Sequence, residues 1–249
     1  MSSKIILITG ANAGVGYATT QVLASAGYHV IMASRSLEKA EISKLEIQSA
    51  GAPSGSLDTL QLDVTDEESI KRAASVVAEK FGRLDVLVNN AAISNEDPDV
   101  GTRFRLSFAT NVVGPALVSA AFRPLLQSSP GAYSIYVSSS VGSLTMASDP
   151  TLPLYQKMPN LDAYRASKAA LNMIAVREHA MHGGAGLKVF AMCPGFVRSN
   201  VRGTSEEARS GWGMAGDPRE SGELVLSIVE GKRDADVGRF VWKDGVYPW

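Results

Sequence analysis

The sequence predicts a single α/β domain: a mostly parallel, seven-stranded sheet with helices on both faces. Three observations carry this expectation. Short, near-continuous apolar runs alternate with helical patterns along the whole chain, the mark of parallel strands buried on both sides. A glycine-rich stretch from Gly10 to Gly16 lies between the first such run and the first helical pattern. The chain has 249 residues and 45% hydrophobic content, enough for one sizeable core, and no repeat, low-complexity tract or linker divides 1–249.

The elements follow in order. Ile5–Thr9 is the first strand, and Val15, Ala18, Val22 and Ala26 share one face of the helix after it. Val30–Ser34 and Thr59–Val64 are the next two strands. Thr65 followed by Glu68 reads as a capping box that opens a helix reaching about Lys80. Leu84–Asn89, Ser134–Ser138, Leu187–Cys193 and Arg239–Lys243 complete the seven strands. A helix begins near Tyr164, and Asp217-Pro218 starts another.

Composition narrows the function classes. The 24 basic and 25 acidic residues balance, which argues against electrostatic binding to nucleic acid or to an anionic membrane. Cys193 is the only cysteine, so an internal disulfide and a cysteine-held metal are both ruled out. His29, His179 and His182 lack the carboxylate neighbours that would complete a metal set, and no metal is expected. Ser2-Ser3-Lys4 leads straight into a short apolar run, unlike a signal peptide, and nothing approaches the length of a membrane span. The expectation is a soluble, cytoplasmic protein.

Chemistry is concentrated in Tyr164-Arg165-Ala166-Ser167-Lys168. On a helix Tyr164 and Lys168 lie four apart and share a face. A phenol has an ordinary pKa of about 10, and a nearby ammonium favours its phenolate. The pair therefore reads as a tuned proton donor or acceptor. In Thr9-Gly10-Ala11-Asn12-Ala13-Gly14-Val15-Gly16 the glycines allow a tight turn and a close approach of backbone amides to a pyrophosphate.

With these motifs in hand, the whole chain resembles the short-chain dehydrogenase/reductase family. Thr9–Gly16 matches the family's cofactor loop, with Gly10, Asn12, Gly14, Val15 and Gly16 as its contact residues. Leu62-Asp63-Val64 matches the segment whose Asp contacts adenine. Asn89-Asn90-Ala91-Ala92 matches an Asn-Asn-Ala-Gly element, with Ala92 replacing the last glycine. Asn111 matches the helix asparagine of a proton relay, and Pro194-Gly195 the turn beside the nicotinamide. Val197 and Ser199 fall in the same cofactor segment, Ser199 where relatives often carry threonine. Tyr164 and Lys168 match the catalytic pair, Lys168 also as a ligand of the nicotinamide ribose. The family's strand serine follows Ser-x-x-Gly; Ser139 to Gly142 fits it, with Ser140 the second candidate and Ser138 turned to the other face. The resemblance implies a Rossmann-type doubly wound fold and catalysis by Asn111, Ser139, Tyr164 and Lys168.

Cofactor choice turns on the end of the second strand. NAD-preferring relatives place an acidic residue there for the ribose 2′-hydroxyl. Here Ser34 occupies the position and Arg35 follows, a residue suited to a 2′-phosphate, so NADP(H) is expected.

Two segments depart from the family core. Ser139 and Tyr164 stand 25 apart, wider than usual in the family, and residues 146–159 form the insertion. Its three prolines argue against one continuous helix, and Leu152, Leu154, Tyr155 and Met158 would give the site an apolar rim. Residues 200–216, rich in Gly and Ser and carrying Trp212 and Met214, read as a substrate lid; of the two readings of Arg198, Arg202 and Arg209, contact with an acidic substrate or solvated lid charges, the second is favoured. Val246-Tyr247-Pro248-Trp249 is expected to cover the pocket or a subunit interface.

The expected function is NADPH-dependent reduction of a medium-to-bulky, largely apolar ketone or aldehyde, similar to fungal carbonyl reductases and ketoreductases. The alternatives weighed are a non-catalytic NADP-binding sensor or scaffold and, more remotely, a sugar-nucleotide epimerase. The expected partner is a small-molecule carbonyl or alcohol; by resemblance, a homo-oligomer packed on the helix that begins near Tyr164 is a further expectation.

Overall fold

A computed structural model describes residues 3–152 and 161–249. Eight strands form one sheet in the order β3-β2-β1-β4-β5-β6-β7-β8. They are β1 Ile5–Thr9, β2 His29–Ser34, β3 Ser56–Gln61, β4 Val86–Asn89, β5 Tyr133–Val137, β6 Lys188–Met192, β7 Phe240–Trp242 and β8 Gly245–Tyr247. β1 to β7 are parallel, and β8 folds back antiparallel on β7.

The eighth strand corrects the expected seven. Its signal was present as Asp244-Gly245 after an apolar run, a strong hairpin cue. It puts the C-terminal aromatics on the sheet edge, with Trp242 stacked on Tyr247 and Trp249 stacked on Phe240 at 5.8 Å. The third strand lies three residues earlier than expected. The chain turns away after Gln61, where Asp63 Oδ1 accepts bonds from the Thr65 backbone and hydroxyl. That use of Thr65 also overturns the capping box: Asp66 caps the next helix by accepting from the Glu68 amide.

The long helices are α1 Gly14–Ser25, α2 Leu37–Ser49, α3 Glu67–Phe81, α4 Val100–Phe108, α5 Gly114–Gln127, α6 Asp162–His182 and α7 Arg219–Val229. A wider turn, Ala109–Val113, joins α4 to α5. Strand alternation sorts the core onto the two faces of the sheet. Ile5 and Leu7 join Val118, Phe122 and Leu171 on one side; Ile6 and Ile8 join Leu23, Leu224 and Ile228 on the other. α1 and α7 pack closely because Gly222 leaves room: a Cβ there would lie 2.9 Å from Val22 Cγ2.

The chain starts in the middle of the sheet, runs outward to β3, then crosses back to β4. This reversal leaves a crevice at the C-terminal ends of β1 and β4, the usual ligand position in such sheets. At the opposite end, buried Asp85 ties the strands together. Its carboxylate accepts from the Ile5 amide at 2.7 Å, from the Arg83 guanidinium at 3.3 Å and from the Ser129 hydroxyl. Asp85→Ala strands these donors, and a stability loss of about 2–3 kcal/mol is expected. Urea denaturation measures it; an unshifted midpoint would show that the strand ladder alone suffices there.

Candidate active site

The glycine turn is built by close approach. Gly10 and Gly14 take φ of 65° and 55°, the left-handed region that disfavours side chains. A Cβ on Gly16 would lie 2.6 Å from both Gly10 O and Asn90 Nδ2. Asn90 holds the turn from the next strand, donating to Thr9 O at 2.7 Å and Gly10 O at 3.3 Å. Thr9 Oγ1 returns the connection by accepting from the Asn90 and Ala91 amides. α1 opens beyond the turn with no side-chain cap and no acidic residue in its first turn, so its amides are left for an anion. Glycine cradle and uncapped helix together suit a dinucleotide.

Around that turn, Ser34 is buried and donates to Asn12 Oδ1 at 3.1 Å. Arg35 is exposed and makes no hydrogen bond or ion pair among the described residues. Asp63 lies beyond β3, with one carboxylate oxygen engaged by Thr65. Val15 is half-buried against the core. After β6, Pro194 O accepts from Ser221, Gly195 takes φ of 82°, and Val197 is buried. Ser199 sits against the turn itself, 3.3 Å from where a Gly14 Cβ would be.

Ser139 and Tyr164 meet, the serine hydroxyl near enough to pull the phenol's pKa down. The neighbouring serines point elsewhere: Ser138 Oγ donates to Lys168 O at 3.4 Å, while the Ser140 amide donates to Cys193 Sγ at 3.3 Å. The Ser-x-x-Gly spacing has a steric basis. A Cβ on Gly142 would fall 2.7 Å from the Lys168 backbone, so only glycine brings this loop against α6.

Lys168 is 2% exposed, and its Nζ donates to Val137 O at 2.8 Å while standing 5.6 Å from the Tyr164 ring centre. Burial pulls its pKa down to about 7. Burial also pushes the Tyr164 phenol above its ordinary value, against the downward pull of the Ser139 hydrogen bond and the Arg202 charge. The expected net lowering of the Tyr164 pKa is not what burial leaves: desolvation dominates both groups, and a lysine near 7 is only partly charged at neutrality.

Asn111 is fully buried in the wide turn between α4 and α5. Its Nδ2 donates to Ile93 O at 2.8 Å and Ser167 Oγ at 3.0 Å, and its Oδ1 accepts from the Ile93 amide. It thus ties the segment after β4 to α6 one residue before Lys168.

The lid arginines are not alike. Arg198 pairs with Glu206, whereas Arg202 turns inward, donating to three backbone carbonyls of its own segment. Sequence reading also missed Cys193 as the acceptor beside Ser140. Leu144–Ala147 forms one helical turn that leads into the insertion, and Thr145 N donates to Trp249 O. Leu154, Tyr155 and Met158 lie outside the described residues.

Residues 4–210 match the family model for short chain dehydrogenase. The chain belongs to the short-chain dehydrogenase family. It is 34% identical to the short-chain dehydrogenase/reductase tropE of Talaromyces stipitatus, over 97% of this chain and 96% of that one. It is 36% identical to the short-chain dehydrogenase anuI of Penicillium roqueforti, over 97% and 94%. Among solved structures it is similar to an NADPH-bound carbonyl reductase from chicken fatty liver, with 29% identity, full coverage of both chains and a TM-score of 0.79. This short-chain dehydrogenase is thus an oxidoreductase of a family that uses NAD(P)(H). Among its described residues no helix is long and apolar enough to cross a membrane, and no cluster of three His, Cys, Asp or Glu would hold a metal.

The depressed Lys168 pKa has a consequence for stability. Between about 7 and its ordinary 10.5, the unfolded chain binds a proton that the folded chain does not. This group's contribution therefore rises with pH through that window and is lost as pH falls to about 7. The melting temperature of the wild type relative to Lys168→Met is expected to climb across the window. A constant difference would mean that the buried lysine stays charged.

Proposed function

We propose that this oxidoreductase is an NADPH-dependent reductase of medium-to-bulky, largely apolar ketones or aldehydes, running in reverse as an alcohol dehydrogenase. The observation that carries the reading is the meeting of Ser139, Tyr164 and buried Lys168 at the sheet end that also presents the glycine turn.

When bound, the nicotinamide supplies a hydride to the carbonyl carbon. Tyr164, held protonated near neutrality by burial, donates its proton to the oxygen that becomes the alcohol. Ser139 hydrogen-bonds the same oxygen and keeps the phenol aimed at it. Lys168 holds the nicotinamide ribose and, with a pKa about 7, accepts and returns protons readily. Both Asn111 donors are engaged and Oδ1 already accepts from the Ile93 amide, which leaves its second lone pair to orient a water leading from Lys168 toward solvent.

Gly10, Gly14, Gly16 and the α1 amides hold the diphosphate, with Asn12 and Val15 lining the turn. Asp63 would meet the adenine, Asn90 would support the cofactor through the glycine turn it holds, and Pro194, Gly195, Val197 and Ser199 would lie on the nicotinamide side. The NADP(H) choice rests on Arg35, exposed and unpaired among the described residues, beside a Ser34 already committed to Asn12. The NADPH bound to the chicken carbonyl reductase supports it by analogy.

The apolar substrate class rests on the segments that follow β5 and β6. They expose Leu144, Phe196, Trp212 and Met214, the last two 64% and 73% exposed. Trp212 takes φ of 55°, a strained conformation for a side chain this large, and strain of that kind collects at ligand-binding segments.

NADPH oxidation screened against aliphatic, aromatic and polycyclic ketones, aldehydes and diketones tests the reading. Tyr164→Phe is expected to lower kcat about a hundred- to a thousandfold; retention of most turnover removes the tyrosine from the mechanism. Arg35→Ala is expected to raise the KM for NADPH about tenfold or more while leaving that for NADH nearly unchanged. An unaltered NADPH KM would overturn the cofactor assignment.

A further inference from the structure

The segment from Ser199 to Gly216 is rich in glycine and serine; backbone bonds such as Ser199 N to Arg209 O and Ala215 N to Ser210 O hold it, and one cationic side chain is drawn in among its carbonyls. Arg202 Nε donates to Ala208 O at 3.1 Å, and Nη2 donates to Val197 O at 2.8 Å and Arg209 O at 3.1 Å. The guanidinium also lies 4.5 Å over the Phe196 ring. These contacts fix its plane and satisfy two of its three nitrogens. Nη1 has no partner among the described residues.

The location is catalytic. Ser199 and Asn200 N lie 3.3 and 3.7 Å from where a Gly14 Cβ would be, so the segment rests on the glycine turn two residues before Arg202. On the other side, the Arg202 charge bears on Tyr164. No carboxylate pairs with Arg202 among the described residues, although Arg198 of the same segment has Glu206. A half-buried cation braced only by carbonyl dipoles remains short of an anion, and its burial is costly until one arrives.

We propose that Arg202 determines substrate specificity by binding, through its unused edge, an anionic oxygen group beside the carbonyl to be reduced. The inference rests on the reductase reading above and narrows its substrate to an apolar, preferably aryl, ketone that carries a carboxylate or comparable oxyanion. Phe196 lies against the guanidinium, and Phe196 with the exposed Trp212 would take the apolar part. A planar guanidinium fits a carboxylate with paired, charge-assisted bonds. The coenzyme diphosphate is the other oxyanion within this neighbourhood, and the test separates the two sources.

Benzoylformate and its methyl ester share one carbonyl and differ in charge. Both are assayed with NADPH on wild type, Arg202→Met and Arg202→Lys, with kcat/KM for each ketone and the KM for NADPH recorded. Binding of mandelate to the NADP-loaded protein is measured by calorimetry, which needs no turnover. The expected result is a ten- to hundredfold fall in the acid-to-ester ratio of kcat/KM for Arg202→Met, carried by the KM for the acid. The NADPH KM stays level, Arg202→Lys recovers part of the ratio, and mandelate binding weakens in step. Equal losses for acid and ester would make Arg202 a brace for the lid and overturn the proposal. A raised NADPH KM would overturn it in favour of the diphosphate. If wild type reduces neither ketone, the reductase reading fails for this class, and mandelate still decides Arg202: binding lost in Arg202→Met sustains the oxyanion site, while binding unaffected or absent from wild type refutes it.

Discussion

The working edge of this protein depends on the seam between β1 and β4. Thr9 and Asn90 bond across it in both directions, the threonine hydroxyl taking two amides and the asparagine amide taking two carbonyls. The seam lies where strand order reverses, so the two halves of the sheet would otherwise part there. Closing it pulls Gly16 to within contact of Gly10 O and Asn90, which only a residue without Cβ tolerates. The glycines of the turn thus answer to a packing demand from the fold as well as to a phosphate. Asp85 holds the same strands at their other end, which keeps the crevice from widening.

Within the crevice, desolvation outranks pairwise charge. Lys168 is held by one carbonyl and has no carboxylate partner among its contacts, so burial drives it toward neutrality. Tyr164 is pushed the opposite way in pKa by the same cause, so the phenol stays uncharged while the amine is only partly charged at neutrality. A neutral phenol beside a half-neutral amine costs little to bury. It is also a suitable resting state for a site that must donate a proton and then recover one, since neither group first has to shed a counter-ion. The serine hydroxyl and the Arg202 charge supply the opposing pull that keeps the phenol from becoming inert.

Much of this was legible in sequence, and for local reasons. The strands were visible because both faces are apolar, so each reads as an unbroken run such as Ile5-Ile6-Leu7-Ile8. Ser139 was separable from Ser138 and Ser140 because the spacing to Gly142 encodes a backbone contact with α6. The failures are non-local. Thr65 and Glu68 have the spacing of a capping box, but Asp63 captures the threonine and Asp66 takes the cap. The phenol shift depends on burial and on Ser139, Cys193 and Arg202, all distant in sequence, which a four-residue spacing cannot report. The eighth strand is three residues long and gains its stability from aromatic stacking with Phe240 and Trp242, partners fixed only once the chain is folded.

The same distinction separates how this protein reacts from what it reacts with. Ser139, Tyr164 and Lys168 are aligned by the ends of β5 and α6, rigid elements buried in the core. The proposed substrate side is carried by segments outside the core, ordered by backbone bonds such as Arg198 N to Gly216 O and Gly216 N to Phe196 O, by the three carbonyls gathered by Arg202, by the Arg198–Glu206 pair, and by a bond from Thr145 to the terminal carbonyl of Trp249. Such segments can change sequence with little effect on the sheet, because few core side chains depend on them. Arg202 is the exception, since it gathers carbonyls of its own loop and its charge opposes the upward shift of the Tyr164 phenol. A change at that residue would alter the choice of substrate and the electrostatics of proton transfer together, which makes it the point where lid and catalytic core are coupled.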